Sequence, residues 1–199
     1  MLTKNEKGFT LTELMVVIGI ATVLMSVSLY DYKAFTDKLA LSAAAQEMAI
    51  AIRQAQTYGL NVKEATAGGG DFTRAYGIYF STLDPYNYYI FVDKNTVNKL
   101  YDVGSGACGT ALTECIEKVS LRNGVSISSI TNTNGCAVTN NATALHVTFI
   151  RPKPDANINF TNGSGTPCSG QTDAKIVLTS PKGKIASTSI EITGQVYTQ

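Results

Sequence analysis

Seventeen consecutive residues, Leu14 to Tyr30, carry no charge: LMVVIGIATVLMSVSLY. Extending the run back to Phe9 gives 22 residues whose single charge is Glu13. About 20 mostly apolar residues in a helix cover the hydrocarbon thickness of a bilayer, so residues 9–30 read as a membrane span. Lys4 and Lys7 precede the run, whereas Asp31, Lys33, Asp37 and Lys38 follow it in balance. That asymmetry leaves the first eight residues in the cytoplasm and everything after Tyr30 outside. A helix apolar on every side needs lipid or other helices around it.

Glu13 is the exception within the run. A carboxylate at the centre of a membrane helix costs about 2.5–3.5 kcal/mol, and less near the interface. One reading is local: Thr10-Leu11-Thr12-Glu13 fits the S/T-x-x-E capping box, with Thr10 as N-cap and Glu13 reaching back. The other is an intramembrane charge that needs a partner such as a free amine. Both put Glu13 at a helix start, and the residues alone leave the two open.

The segment KGFTLTELMVV resembles the processing motif of type IV prepilins and type II secretion pseudopilins. The resemblance implies a leader peptide of residues 1–8, cleavage by a prepilin peptidase between Gly8 and Phe9, and N-methylation of Phe9. Glu13 becomes the fifth residue of the trimmed chain and pairs with the N-terminal amine of a neighbouring subunit during assembly. A charge-assisted pair of that kind supplies the partner the carboxylate calls for in apolar surroundings. Two competing readings exist. A secretory signal cut near Ser26-Val27-Ser28 would need an apolar core of about 7–15 residues, shorter than the run here. A plain single-span anchor would make no use of Glu13. One departure from the family is that the apolar run holds no proline. The first proline is Pro85, and Gly19 is the only helix-weakening residue in the run.

Beyond the span, Tyr30, Ala34, Leu41, Ala45, Met48, Ile52 and Ala55 recur at helical spacing. Asp37, Lys38, Glu47, Arg53 and Gln54 lie beside or opposite this stripe. Residues 31–59 therefore read as an amphipathic continuation of the helix, with Gly59 as its C′ stop. A helix over 10–58 would be roughly 70–75 Å long. Residues 60–199 read as an extracytoplasmic β-rich domain. Runs at 75–81, 87–93, 117–121, 125–130, 144–150, 175–180 and 187–194 are β-branched or aromatic and are bounded by Gly, Asn, Pro and Ser clusters. Alternation at Leu145, Val147, Phe149 and at Ile190, Ile192 predicts an antiparallel sheet with one face covered. Pro181-Lys182-Gly183 reads as a turn between the last two long strands.

The expected fold class is α+β and pilin-like: one long N-terminal helix, membrane-spanning in its first half, packed on antiparallel β-sheets. SAAAQEMAIAIRQAQTYGLNV and the ending KIVLTSPKGKIASTSIEITGQVYTQ resemble the GspH/FimT-like minor pilins, pseudopilin H among them. The likeness covers residues 4–35, weakens over 40–65 and 175–199, and does not extend to 66–170.

Cys108, Cys115, Cys136 and Cys168 all follow the span. They contain no C-x-x-C, so their spacing does not read as a zinc site. On the exported side, disulfides are the expected state, with Cys108–Cys115 closing a short loop and Cys136–Cys168 tying two longer connections. Four reduced thiols are the alternative. Other candidates reduce to ordinary structure. Gly68-Gly69-Gly70 lacks the Gly-Lys-Ser/Thr of a phosphate loop. His146 reads as a surface residue opposite Leu145 and Val147. Asn141, Asn159 and Asn162 head glycosylation sequons that matter only in a glycosylating host. Tyr86, Tyr88, Tyr89 and Phe91 read as core and sheet surface.

Among 199 residues there are 16 Lys+Arg, 15 Asp+Glu and 1 His. A single His removes most His-based metal and triad sites, and no catalytic constellation, metal set or cofactor site is implied. The reading is therefore a non-enzymatic assembly subunit, a minor pilin or pseudopilin of a pilus or secretion-type filament, with Gly8 and Phe9 for processing and Glu13 for assembly. Its implied partners are other pilin subunits, the prepilin peptidase, an inner-membrane assembly platform, and membrane lipid before assembly. The alternatives are a DNA-binding minor pilin of an uptake pilus and a secreted or anchored β-domain. Loss of residues 1–8 removes Lys4, Lys7 and Glu6, leaving 14 basic against 14 acidic residues. That neutrality argues against nucleic acid as a partner.

Overall fold

In the computed structural model, the residues described are 8–61, 64–65, 69–94, 98–102, 107–110, 113–139, 142–162 and 167–199. The side chains of Tyr30, Asp31, Lys33, Ala34, Val138 and Thr139 lie outside this description, as do Lys4, Lys7, Gly68, Asn141, Gly163 and Ser164. Helix α1 is assigned over Leu11–Leu60. The chain divides into two units, one ending at Lys38 and the other comprising Leu39–Gln199.

In the first unit, Leu11–Leu29 is long and apolar enough to cross a membrane, and none of it is buried within the chain. Two of its hydroxyls are satisfied inside the helix. Thr22 Oγ1 donates to the Gly19 carbonyl at 2.8 Å and Ser26 Oγ to the Thr22 carbonyl at 2.7 Å. At these two positions side-chain polarity is absorbed by the backbone, as an apolar environment favours.

The second unit wraps two antiparallel sheets around the remainder of α1. The larger sheet holds β1 (Tyr76–Ser81), β2 (Asn87–Val92), β3 (Cys115–Ser120), β5 (Ala142–Phe149), β6 (Ala156–Asn162) and β7 (Pro167–Gln171), in the order β3-β2-β1-β5-β6-β7. The smaller holds β4 (Ser126–Thr131), β8 (Asp173–Thr179), β9 (Ile185–Glu191) and β10 (Val196–Thr198), in the order β10-β9-β8-β4. A one-turn helix, α2 (Cys136–Thr139), lies between β4 and β5. The seven expected strands are present with shifted ends, while β6, β7 and β10 were not anticipated.

The helical stripe is the floor of the core. Leu41, Ala45, Met48, Ile52 and Ala55 are buried, joined by Ala44 and Ala51. They meet Ile78, Phe80, Ile90, Leu145, Val147 and Phe149 of one sheet and Ile176, Leu178 and Ile190 of the other. Small alanines let the sheets approach the helix backbone, and Thr188 Oγ1 of β9 donates to the Ala45 carbonyl at 3.2 Å.

Gly59 is not a helix stop. The helix runs on through Leu60, and a Cβ at position 59 would stand 2.6 Å from the Phe149 carbonyl oxygen and 2.8 Å from its Cβ. The residue is glycine because β5 crosses the helix there. Gly59→Ala is expected to lower stability by about 1–3 kcal/mol through forced backbone shift; an unchanged denaturation midpoint would contradict this packing role. The expected turn at Pro181-Lys182-Gly183 is present: Gly183 has φ +75°, and its amide donates to the Ser180 carbonyl at 2.9 Å.

The large sheet is covered on both faces, not one. Behind the core face, Tyr79, Tyr89, Phe91 and His146 form a second cluster beneath Tyr101, which belongs to the connection between β2 and β3. His146 is therefore buried, at 3% exposure, correcting its reading as a surface residue. The Ile190–Ile192 alternation also fails, because Ile192 lies beyond β9 and is 43% exposed. Asn159 and Thr161 are buried on the second face, so the sequon they share is inaccessible in the folded chain.

Candidate processing and assembly site

The helix start is built by the sequence it contains. Thr10 precedes the first helical residue, and the Glu13 amide donates to Thr10 Oγ1 at 3.2 Å. In return, the Thr10 amide and hydroxyl both donate to Glu13 Oε2, at 3.3 and 3.2 Å. This reciprocal capping box satisfies orphan amides of the first turn and places a carboxylate at the positive end of the helix dipole. Both local bonds end on Oε2, so Oε1 remains available. Capping and pairing with an external amine are thus compatible on one carboxylate.

Phe9 is 86% exposed. Gly8 is also exposed, and a Cβ added there would meet nothing within 4 Å. Among the described residues, no packing constraint calls for glycine at position 8. A family model described as the prokaryotic N-terminal methylation motif matches residues 3–29. The chain carries the methylation motif typical of type IV pilins and pseudopilins. No curated protein and no solved structure matches the chain. This motif belongs to prepilin-processed subunits that are structural rather than catalytic and that assemble with other pilin subunits. With the apolar Leu11–Leu29 helix, it fits an N-anchored membrane protein of a filament.

The cysteines lie in the second unit, in two bridges. Cys108–Cys115 spans Cα atoms 4.7 Å apart and closes the end of the β2–β3 connection. Cys136–Cys168 spans 6.6 Å and links α2, which follows edge strand β4 of the small sheet, to edge strand β7 of the large one. Gly109 amide also donates to the Cys115 carbonyl at 2.8 Å, so the short loop is closed twice. Replacing Cys108 and Cys115 together by Ser is expected to cost about 2 kcal/mol, read as a lower denaturation midpoint. A variant as stable as the parent would show the hydrogen bonds suffice.

Sequence reasoning missed the polar pins of the β2–β3 connection. Glu114 Oε1 accepts from the Lys94 amide at 2.9 Å and Oε2 from the Asp102 amide at 2.8 Å. Asp93 Oδ2 accepts from the Lys99 amide at 2.8 Å, and His146 Nδ1 from the Tyr101 amide at 2.8 Å. These acceptors come from sequence positions far from most of the amides they hold, and no local pattern announces them. Among the described residues, no group of three or more His, Cys, Asp or Glu is placed to hold a metal ion.

Proposed function

We propose that the chain is a structural subunit of a pilus or type II secretion-type filament, in the role of a minor pilin or pseudopilin. The observation that carries this is the capped helix start, with Glu13 five residues past Gly8, opening an apolar span long enough to cross a membrane. In this reading the peptidase cuts after Gly8 and Phe9 is methylated. The span rests in the inner membrane until bundled helices of neighbouring subunits replace the lipid. Glu13 then pairs with an incoming amine. The domain after the span lies outside the cytoplasm, where two disulfides are at home.

Intact mass and N-terminal sequencing of the protein from host membranes test the reading. A chain starting at Phe9 with one added methyl is the expected result. A start near Leu29, or a retained Met1, would overturn it. The second reading, a DNA-binding subunit, draws on exposed Lys175, Lys182 and Lys184 around the β8–β9 hairpin. Exposed Gln195 offers no further cation there. A salt-dependent gel shift with duplex DNA separates the two, and the overall neutrality of the trimmed chain predicts none at physiological salt.

A further inference from the structure

Three connections of the second unit meet at one end of its sheets: the β1–β2 hairpin (82–86), the β3–β4 turn (121–125) and the β8–β9 hairpin (180–184). The Leu121 amide donates to the Tyr86 carbonyl and the Ile127 amide to the Pro85 carbonyl, both at 2.8 Å. The third connection abuts the second, since a Cβ at Gly124 would stand 2.8 Å from Pro181 Cγ. The Thr82 amide donates to the Thr143 carbonyl at 2.8 Å, so the tip of the first hairpin is pinned from two sides. It presents Leu83 and Tyr86 at 75% and 55% exposure, and Ile185 beside the third connection is 71% exposed. Arg122, Lys182 and Lys184 are exposed on the same connections. Their single carboxylate, Asp84, accepts from the Tyr89 hydroxyl and the Asn87 side-chain amide and lies near Lys118.

This is the end at which α1 enters the unit. At its far end α1 meets the start of β1 and the close of β5: the Tyr58 and Tyr76 rings are 6.0 Å apart, and Gly59 lies against Phe149. Strand β1 runs from Tyr76 to the first hairpin, which therefore lies back toward Leu39, the first residue of the unit. Strand β9 agrees. Thr188 reaches the Ala45 carbonyl and Gly194 lies against Gln56, so Ile185 falls on the Leu39 side of Ala45. From Leu29, the last residue of the apolar span, to Leu39 the chain reaches no more than about 35 Å even when fully extended. Whatever the angle between the two units, this end stays tethered within that reach of the bilayer. The connections at the opposite end mix their charges, with Asp155, Asp173 and Glu191 beside Arg151 and Lys153.

We propose that this end of the domain docks on the surface of the membrane that the span crosses. Leu83, Tyr86 and Ile185 enter the boundary between headgroups and acyl chains, and Arg122, Lys182 and Lys184 meet lipid phosphates. The inference rests on the filament reading above and concerns the subunit before assembly. Tyr rests at headgroup level, Leu and Ile gain from the apolar boundary, and Lys and Arg keep their charge at the phosphates. Near an anionic surface each base strengthens binding about fivefold. Six such side chains would hold a free protein weakly. The span raises the local concentration until a weak contact suffices. Duplex DNA offers the bases similar phosphates but nothing for the exposed apolar side chains beside them, which favours lipid.

The test reconstitutes the full chain in vesicles of phosphatidylcholine, with or without about one-third phosphatidylglycerol. Leu83→Cys, or Thr193→Cys at the opposite end, carries an environment-sensitive dye. The native cysteines are all in disulfides, so the label goes to the new thiol. A lipid spin-labelled near its headgroup quenches any dye that reaches the surface. In anionic vesicles, quenching at position 83 is expected to exceed that at position 193 at least about fivefold. Lys182→Gln with Lys184→Gln should lower the docked-to-undocked ratio roughly twentyfold. Arg122 is left in place because it also borders the recess that holds Glu47 and Glu117. Equal quenching at the two positions, or quenching indifferent to the two lysines, overturns the inference. A duplex oligonucleotide that binds through these lysines while vesicles leave the dye unquenched assigns the patch to nucleic acid instead. Resistance to carbonate extraction is read on the same vesicles. An embedded chain with an unquenched dye sinks the docking alone, whereas a chain that carbonate strips away sinks the membrane reading with it.

Discussion

Glu13→Ala is expected to leave trimming after Gly8 intact while reducing the subunit in sheared filaments by about a hundredfold. The variant removes the only charge in the apolar run, and in the proposed assembly it leaves a neighbour's amine buried without its counter-ion. Breaking a buried pair on one side costs about 3–5 kcal/mol, which at 1.4 kcal/mol per tenfold is two orders of magnitude or more. The capping box is lost as well, but that contributes only about 1 kcal/mol to a helix already stabilised by its surroundings. Glu13→Gln separates the two effects. It keeps an acceptor for the Thr10 amide, and is expected to restore the cap but not incorporation. Equal filament recovery for Glu13→Gln and the parent would assign the residue to capping alone.

Acid is expected to weaken the β-domain well before most carboxylates titrate. His146 lies beneath Tyr101, its ring 4.9 Å from that of Tyr79, and burial pushes its pKa down from 6.5 to about 4, opposed by the charge of Asp102. Geometry requires the same state. Nδ1 accepts the Tyr101 amide and so carries no proton, which leaves Nε2 to face Thr161 Oγ1 at 3.1 Å. Between pH 6.5 and about 4 the unfolded chain binds a proton that the folded chain refuses. Stability is therefore complete above the unfolded value and falls as pH drops toward the folded one. The loss reaches about 3 kcal/mol at the bottom of the window. Denaturant titrations of the full chain in detergent from pH 7 to 4 measure it. His146→Gln, with an amide that accepts and donates but does not titrate, should flatten the slope. Identical slopes in the two proteins would remove His146 from the account.

Local pattern made the helix legible, and with it the candidate site. The charge-free run, the S/T-x-x-E start and the three-to-four stripe through Leu41, Met48 and Ile52 each depend on neighbours within a few turns. Their consequences appear as α1, its cap and the core floor. Leu145, Val147 and Phe149 were readable for the same reason, since strand alternation is also local. Strands β6 and β7 were not. In ANINFTN the residues Asn157, Asn159 and Thr161 face the second side of the sheet, and polar residues there give no apolar alternation to read. PCSGQ has little strand propensity and is held at the edge by β6 and by the bridge from Cys168 to Cys136.

What the sequence determined by itself was every feature set by a period of two or 3.6 residues and by the chemistry of one turn: the span, its cap, the buried stripe and most strands. Tertiary structure alone decided which surfaces found cover. It sent β4 away from its neighbours to pair with β8, brought the β2–β3 connection over His146, and pressed β5 onto Gly59. Each of these contacts joins residues tens of positions apart. Their formation rests on burial summed over the whole core, a quantity that no short window of sequence contains.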